Sequence, residues 1–126
     1  MTLKKVLVID NEQDHLDVMR QILSKLGYTA YVAENAQSAL ALMQAENIPV
    51  VITDLIMPDM EGIELCETIK RLGPETIVFA YSGHAHLYEA KRLERAGFEG
   101  CISKPIIIEQ VARIMEGAFT LLGPQE

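Results

Sequence analysis

The sequence predicts an α/β domain of five βα units wound around a doubly wound, five-stranded parallel sheet. Three observations carry that expectation. The apolar runs KVLVID, PVVITD and TIVFAYS are nearly continuous and each ends in a polar residue, as strands covered on both faces do. Segments of helical apolar period lie between such runs. The two kinds alternate along the chain, and right-handed crossovers then set the strands parallel with helices on both faces.

Each element has its own signal. KVLVID forms the first strand and delivers Asp10, Asn11 and Glu12 at its tip. Leu16, Met19, Leu23 and Leu26 follow at helical spacing, and Gly27 closes that helix. TAYVA is a weaker strand. Ala36, Ala39, Leu40 and Met43 mark the second helix, with Asn35 as its N-cap. PVVITD is the third strand and ends in Asp54. Ile63, Cys66 and Ile69 form the third helical stripe, stopped by Gly73-Pro74. TIVFAYS ends in Ser82, and a more charged helix runs from about His86 to Ala96. GCIS is the fifth strand, followed by Lys104-Pro105. Ile107, Val111, Ile114 and Ala118 mark the fifth helix.

The chain has 126 residues, 49% of them hydrophobic. That suits one domain spanning 1–126 with a sizeable core. The formal net charge of −7 disfavours nucleic-acid binding through this domain, since phosphate contacts need clustered Lys and Arg. No run approaches transmembrane length, and the apolar start is too short for a signal peptide, so a cytoplasmic protein without membrane contact is expected. Cys66 and Cys101 are far apart in sequence and lack metal-ligand spacing, which reads as two reduced thiols.

In doubly wound sheets, sites form at the carboxyl ends of the strands. Those tips carry Asp10, Asn11 and Glu12, then Asp54, then Ser82, then Ser103 and Lys104. Taken singly, each has an ordinary explanation: a helix cap for Asp10 or Asn11, a turn for Asp54, a loop hydroxyl for Ser82, a solvated amine for Lys104. Together they gather acids, a hydroxyl and an amine at one edge.

The segments VLVIDNE, VVITDLIMPDMEG, IVFAYSGHA and GCISKPI resemble a receiver domain of a two-component response regulator, of the kind found in chemotaxis regulators. The Asp-x-x-Met-Pro-x-x-x-Gly block from Asp54 to Gly62, joined to a Lys-Pro pair after the fifth strand, carries the resemblance. It implies the flavodoxin-like strand order 2-1-3-4-5, for which a chemotaxis regulator of this family is a standard example. It implies Asp54 as phosphoacceptor for a histidine kinase or phosphotransfer protein. Mg²⁺ (or Mn²⁺) would be held by Asp10, Asn11, Asp54 and the Ile56 backbone carbonyl, with Glu12 as an additional ligand. Lys104 and Ser82 would contact the phosphoryl oxygens. Ile56 and His84 would tune dephosphorylation, and a partner surface would respond to the modification.

Two positions depart from the family pattern. Asn11 stands where a second carboxylate is usual, which implies weaker metal binding by the free protein. Cys101 stands where an aromatic switch residue is usual, and Tyr81 is a candidate substitute. These departures favour the alternative of a receiver-fold interaction module that works without phosphorylation. A phosphatase ranks last, because Ile56 occupies the place of its general acid. No turnover on an external substrate is expected, and the domain acts either alone, as a shuttle or phosphate sink, or as part of a longer regulator. His84 and His86 are read as an exposed loop, His15 as a residue on a solvated helix face, and Lys91, Arg92 and Arg95 as a solvated basic stretch. The fifth helix shows two apolar stripes, the second through Ile108, Ala112, Met115, Phe119 and Leu122, and the surplus implies a homodimer or docked partner there.

Overall fold

The computed structural model describes residues 4–83 and 90–123. Ten elements alternate: β1 Lys5–Ile9, α1 Gln13–Lys25, β2 Thr29–Ala33, α2 Ala36–Ala45, β3 Val50–Thr53, α3 Gly62–Leu72, β4 Ile77–Ser82, α4 Ala90–Ala96, β5 Phe98–Ser103 and α5 Ile108–Leu122. The five strands are parallel in the order β2-β1-β3-β4-β5. β1, β3 and β4 are almost wholly buried, as continuous apolar strands at the middle of a covered sheet should be.

The sheet divides the core in two. Leu7, Ile9, Val51, Val78 and Ala80 face α2, α3 and α4, meeting Ala39, Leu65, Ile69 and Leu93. Val6, Val8, Val50, Ile52 and Tyr81 face α1 and α5, meeting Leu16, Met19, Leu23, Val111 and Met115. The alternation of side chains along each strand sorts the residues between these faces.

Chain reversals follow local chemistry. Gly27 adopts φ +93° after α1, a region costly for residues with a Cβ. Asn35 caps α2, its side chain accepting from the backbone N–H of Ser38 at 2.8 Å. β5 begins two residues earlier than GCIS. Its pairing with β4 shifts register between Val78 and Phe79, so that Glu99 is passed over and Gly100 faces Phe79. The expected start of the fourth helix near His86 lies outside the described residues.

Helix α5 differs from its expected form in two ways. It begins at Ile108; Ile107 precedes it and is 55% exposed, so it does not extend the inward stripe. The second stripe is largely absorbed into the core. Met115 and Phe119 are buried beside Val111 and Ala118, Ile114 and Leu122 pack partly against them, and Tyr28 stacks on Phe119 at 5.3 Å. Packed against both the sheet and its neighbour α1, α5 buries a wide arc rather than one narrow stripe. Ile108 and Leu121 are its exposed large apolar residues, with Ile107 exposed just before it.

Candidate functional site

Register brings the two buried acids together. Ile9 lies opposite Thr53, so Asp10 and Asp54, the next residue on each strand, leave the sheet side by side. The backbone holds both: Asp10 N–H donates to Ala33 O at 3.1 Å and Asp54 N–H donates to Ile9 O at 2.9 Å. Beyond them the loops take over. Glu12 N–H donates to Asp10 Oδ1 at 2.9 Å, and Ile56 N–H donates to Asp54 Oδ1 at 3.2 Å. These short turns leave Oδ2 of each carboxylate for other partners.

Lys104 reaches both. β5 ends at Ser103, paired with Ser82 of β4, and the next residue projects across the strand tips. Its Nζ lies 3.1 Å from Asp10 Oδ2 and 3.3 Å from Asp54 Oδ2. Asp10 is fully buried and Asp54 nearly so; two such carboxylates need a cation between them. The ammonium also sits 4.5 Å above the Tyr81 ring. Burial pushes the Tyr81 hydroxyl far above its usual range, and the nearby Asp10, Asp54 and Glu12 add to that, so the phenol stays neutral.

The remaining expected site residues fall as follows. Asn11 and Ile56 are exposed at the mouth. With Glu12, His15, Asp54, Gly83 and Lys104 they line a shallow cavity of about 270 Å³. Glu12 is the N-cap position of α1 but makes no side-chain cap, so the first helix is capped neither by Asp10 nor by Asn11. Ser82 is buried at the end of β4. Cys101 is half-buried on the α2–α3–α4 side, and burial raises its thiol above the usual range. Beside it Leu93, Phe98 and Gly100 line a cavity of about 400 Å³. Tyr81 faces the opposite side of the sheet, so it does not replace the aromatic ring absent at position 101. His84 lies outside the described residues. Cys66 and Cys101 are both free; burial pushes the Cys66 thiol up to about 12.

The donors suit a hard divalent cation. Asp54, the Asn11 amide and the Ile56 carbonyl bring oxygen donors to an open cavity that admits water, and the buried Asp10 lies beside Asp54. Among the described residues no group of three acidic, histidine or cysteine side chains could close on a metal by itself. A partly hydrated Mg²⁺ needs no such group.

Two residues join the site without any signal in the sequence. His15 is turned inward, Nδ1 lying 2.9 Å from Asp10 Oδ2 and Nε2 3.2 Å from Glu12 Oε2. Asp59, within the loop from Asp54 to Gly62, accepts from the N–H of Ala36 and of Gln37, each at 3.1 Å. It thereby moors the loop to the N-terminus of α2. Those bonds, Ala36 first, hold its carboxyl below the usual range. A lowered folded-state value contributes stability above the unfolded carboxyl's value and loses it as pH falls through the folded one. Asp59→Asn should therefore lower the urea midpoint at neutral pH, and the difference should shrink as acid is added. A gap unchanged down to strongly acidic pH would show that the charge does not moor the loop.

The same architecture recurs in known proteins. The family model for the response regulator receiver domain matches residues 6–116. The chain is 33% identical over 121 residues to the virulence sensor protein BvgS of Bordetella pertussis, covering 90% of this chain and about a tenth of the length of that relative. Among solved structures, a response regulator receiver domain protein from Clostridium thermocellum superposes with a TM-score of 0.88 at 27% identity, covering 94% of this chain and 96% of that one. A CheY-like receiver domain protein from Methanospirillum hungatei superposes with a TM-score of 0.83 at 30% identity, covering 93% and 97%. Among the described residues no helix is long and apolar enough to cross a membrane. With its five-stranded 2-1-3-4-5 sheet and its paired acids joined by a lysine at the strand tips, this chain belongs to the response regulator receiver domain family of two-component signalling.

Proposed function

We propose that this receiver domain accepts a phosphoryl group on Asp54 from a histidine kinase or phosphotransfer protein and thereby alters a partner-binding surface. The observation that carries the reading is the Lys104 ammonium held between Asp10 and Asp54 at 3.1 and 3.3 Å. Such a cation can meet charge that appears on a phosphoryl group carried by Asp54. An Asp54 carboxylate oxygen attacks phosphorus in line. The O–P bond forms as the N–P bond to the donor imidazole breaks; the bonding pair returns to that nitrogen, and an imidazole that carries its proton on the other ring nitrogen leaves as a neutral ring. Asp10, Asn11, Asp54 and the Ile56 carbonyl would hold Mg²⁺ or Mn²⁺, with Glu12 at the rim, and the ion supplies positive charge beside the phosphoryl oxygens. Lys104 binds one phosphoryl oxygen and the Ser82 hydroxyl donates to another. Ile56, apolar and 50% exposed next to Asp54, offers no general acid, in keeping with a switch that does not turn over an external substrate. Two free thiols suit a reducing cytoplasm.

The test is to incubate the protein with acetyl phosphate and Mg²⁺ and to map the product. One acid-labile phosphate on Asp54 is expected, lost in Asp54→Ala. Normal yield in that variant would overturn the assignment, and no phosphate on the wild type would favour an interaction module of the same fold.

Asn11 should weaken the cation site without destroying it. Asn11→Asp adds a charge next to Asp10 and Asp54, and attraction to a dication outweighs the added repulsion once the ion is bound. The variant should bind Mg²⁺ more tightly and gain more thermal stability from it. Without metal it should be less stable than wild type. Equal Mg²⁺ affinities in calorimetric titration would place position 11 away from the ion. A partner or second copy on α5 would meet Ile107, Ile108 and Leu121, and phosphorylation-dependent sedimentation would reveal the second copy.

A further inference from the structure

We infer that Tyr81 is a positioning residue for Lys104: the face of its ring holds the ammonium at the strand tips while the two acids take other partners. The inference rests on the phosphoacceptor reading above and deepens it. Strand register sets the pair up. Tyr81 of β4 lies opposite Ile102 of β5, and Lys104 follows two residues on. That is the diagonal place from which a long side chain reaches an aromatic ring. Lys104 Nζ lies over the ring, 4.5 Å from its centroid, inside the distance of about 6 Å at which the negative face of a ring attracts a cation. Among the described residues two other lysines lie near rings, Lys4 by Phe119 at 5.9 Å and Lys5 by Tyr31 at 6.0 Å, and both contacts are longer.

The ring differs from the lysine's polar neighbours in what the reaction asks of each. Asp54 Oδ2, 3.3 Å from Nζ, belongs to the carboxylate that bonds to phosphorus. Asp10 Oδ2, at 3.1 Å, belongs to the acid assigned to the divalent cation, and a dication beside it repels the ammonium. His15 Nδ1, at 3.1 Å, is also 2.9 Å from Asp10 Oδ2 and so is engaged with the same acid. The ring has no second duty of this kind. It is also held where the lysine is not. Tyr81 is 1% exposed and belongs, with Val8, Leu16 and Ile102, to the core on the α1 and α5 side of the sheet, where close packing fixes a ring. The ammonium ends a flexible four-carbon stem. A cation–π contact draws the charge to the face without using up an acceptor, so the three N–H groups remain free to turn from carboxylate to phosphoryl oxygens. A cation already in place at the site of developing charge needs no reorganisation during the transfer.

The experiment has two arms. In the first, NMR of the unphosphorylated, metal-free protein measures the ε-methylene protons of Lys104. An aromatic face shields protons above it, so an upfield displacement from the ordinary lysine position is expected, kept in Tyr81→Phe and lost in Tyr81→Leu. An ordinary position in the wild type overturns the proposal. In the second arm, phosphorylation by acetyl phosphate with Mg²⁺ is followed. Tyr81→Leu removes the face and should lower the maximal rate about tenfold at unchanged donor KM. Tyr81→Phe should keep most of the rate. Phenylalanines carrying one, two and three ring fluorines at position 81 then weaken the negative face without emptying its space, and the rate should fall with each fluorine. This series stands even if the leucine variant folds poorly. An unchanged Tyr81→Leu, a Tyr81→Phe as slow as Tyr81→Leu, or a rate indifferent to fluorine overturns the proposal. If the wild type takes up no phosphate, the phosphoacceptor reading fails and the positioning role with it, while the NMR arm still decides the contact between Tyr81 and Lys104.

Discussion

Replacing Gly62 with alanine should cost the domain about 3 kcal/mol and lower its Tm by about 10 °C. A Cβ at this position would press on the carbonyl oxygen of Asp54 and lie 2.7 Å from Cα of Leu55. Both are backbone atoms, so no side chain can rotate aside. Gly62 N–H also donates to Leu55 O at 2.9 Å, and relieving the clash means breaking that bond or sliding α3 along the sheet. Either response moves Asp54, so phosphorylation should fall with stability. Thermal denaturation followed by circular dichroism checks the first part. A Tm within about 2 °C of wild type would mean that the loop opens far more easily than its contacts indicate.

Lys104→Ala should show a second large effect, of a different kind. Removing the ammonium leaves Asp10 and Asp54 buried side by side without their shared counterion. Breaking a buried ion pair from one end typically costs about 3 kcal/mol, and the metal-free variant should be destabilised by about that much. A divalent ion bound to the same carboxylates should restore part of the stability in proportion to its concentration, but not the rate of phosphoryl capture, because the lysine's contact to the phosphoryl oxygens is gone. Urea denaturation with and without Mg²⁺ separates the two losses. A metal-free variant as stable as wild type would show that the ammonium gives no net compensation to the acids.

Much of this is legible in the residues. The apolar runs and helical stripes locate the elements, since burial on both faces of a parallel sheet leaves an unbroken apolar signature. The strand tips then name Asp10, Asp54, Ser82 and Lys104, and the fold places all four on one edge. His15 reads as solvated because it lies five residues past Asp10, across a change from extended to helical backbone, where neither period relates the two. Asp59 escapes a reading of the sequence because its partners, Ala36 and Gln37, are backbone groups more than twenty residues away. The sidedness of Tyr81 is within reach of one: alternation along β4 puts Ala80 and Tyr81 on opposite faces, and Cys101 pairs with Ala80. The width of the buried arc on α5 depends on how α1 and the sheet enclose it, and a stripe count carries no such information.

The division of the core by the sheet has a further consequence, for how substitutions combine. Side chains on opposite faces share no neighbours, so the energetic effects of truncating Leu23 on one side and Ile69 on the other should simply add. Sequence change can therefore accumulate on α1 and α5 without compensating change on α2, α3 and α4, and each face can drift toward a different binding role. The strand tips obey the opposite rule. Asp10, Asp54 and His15 all lie within 3.3 Å of the one Lys104 ammonium, so substitutions among these four positions should not be additive.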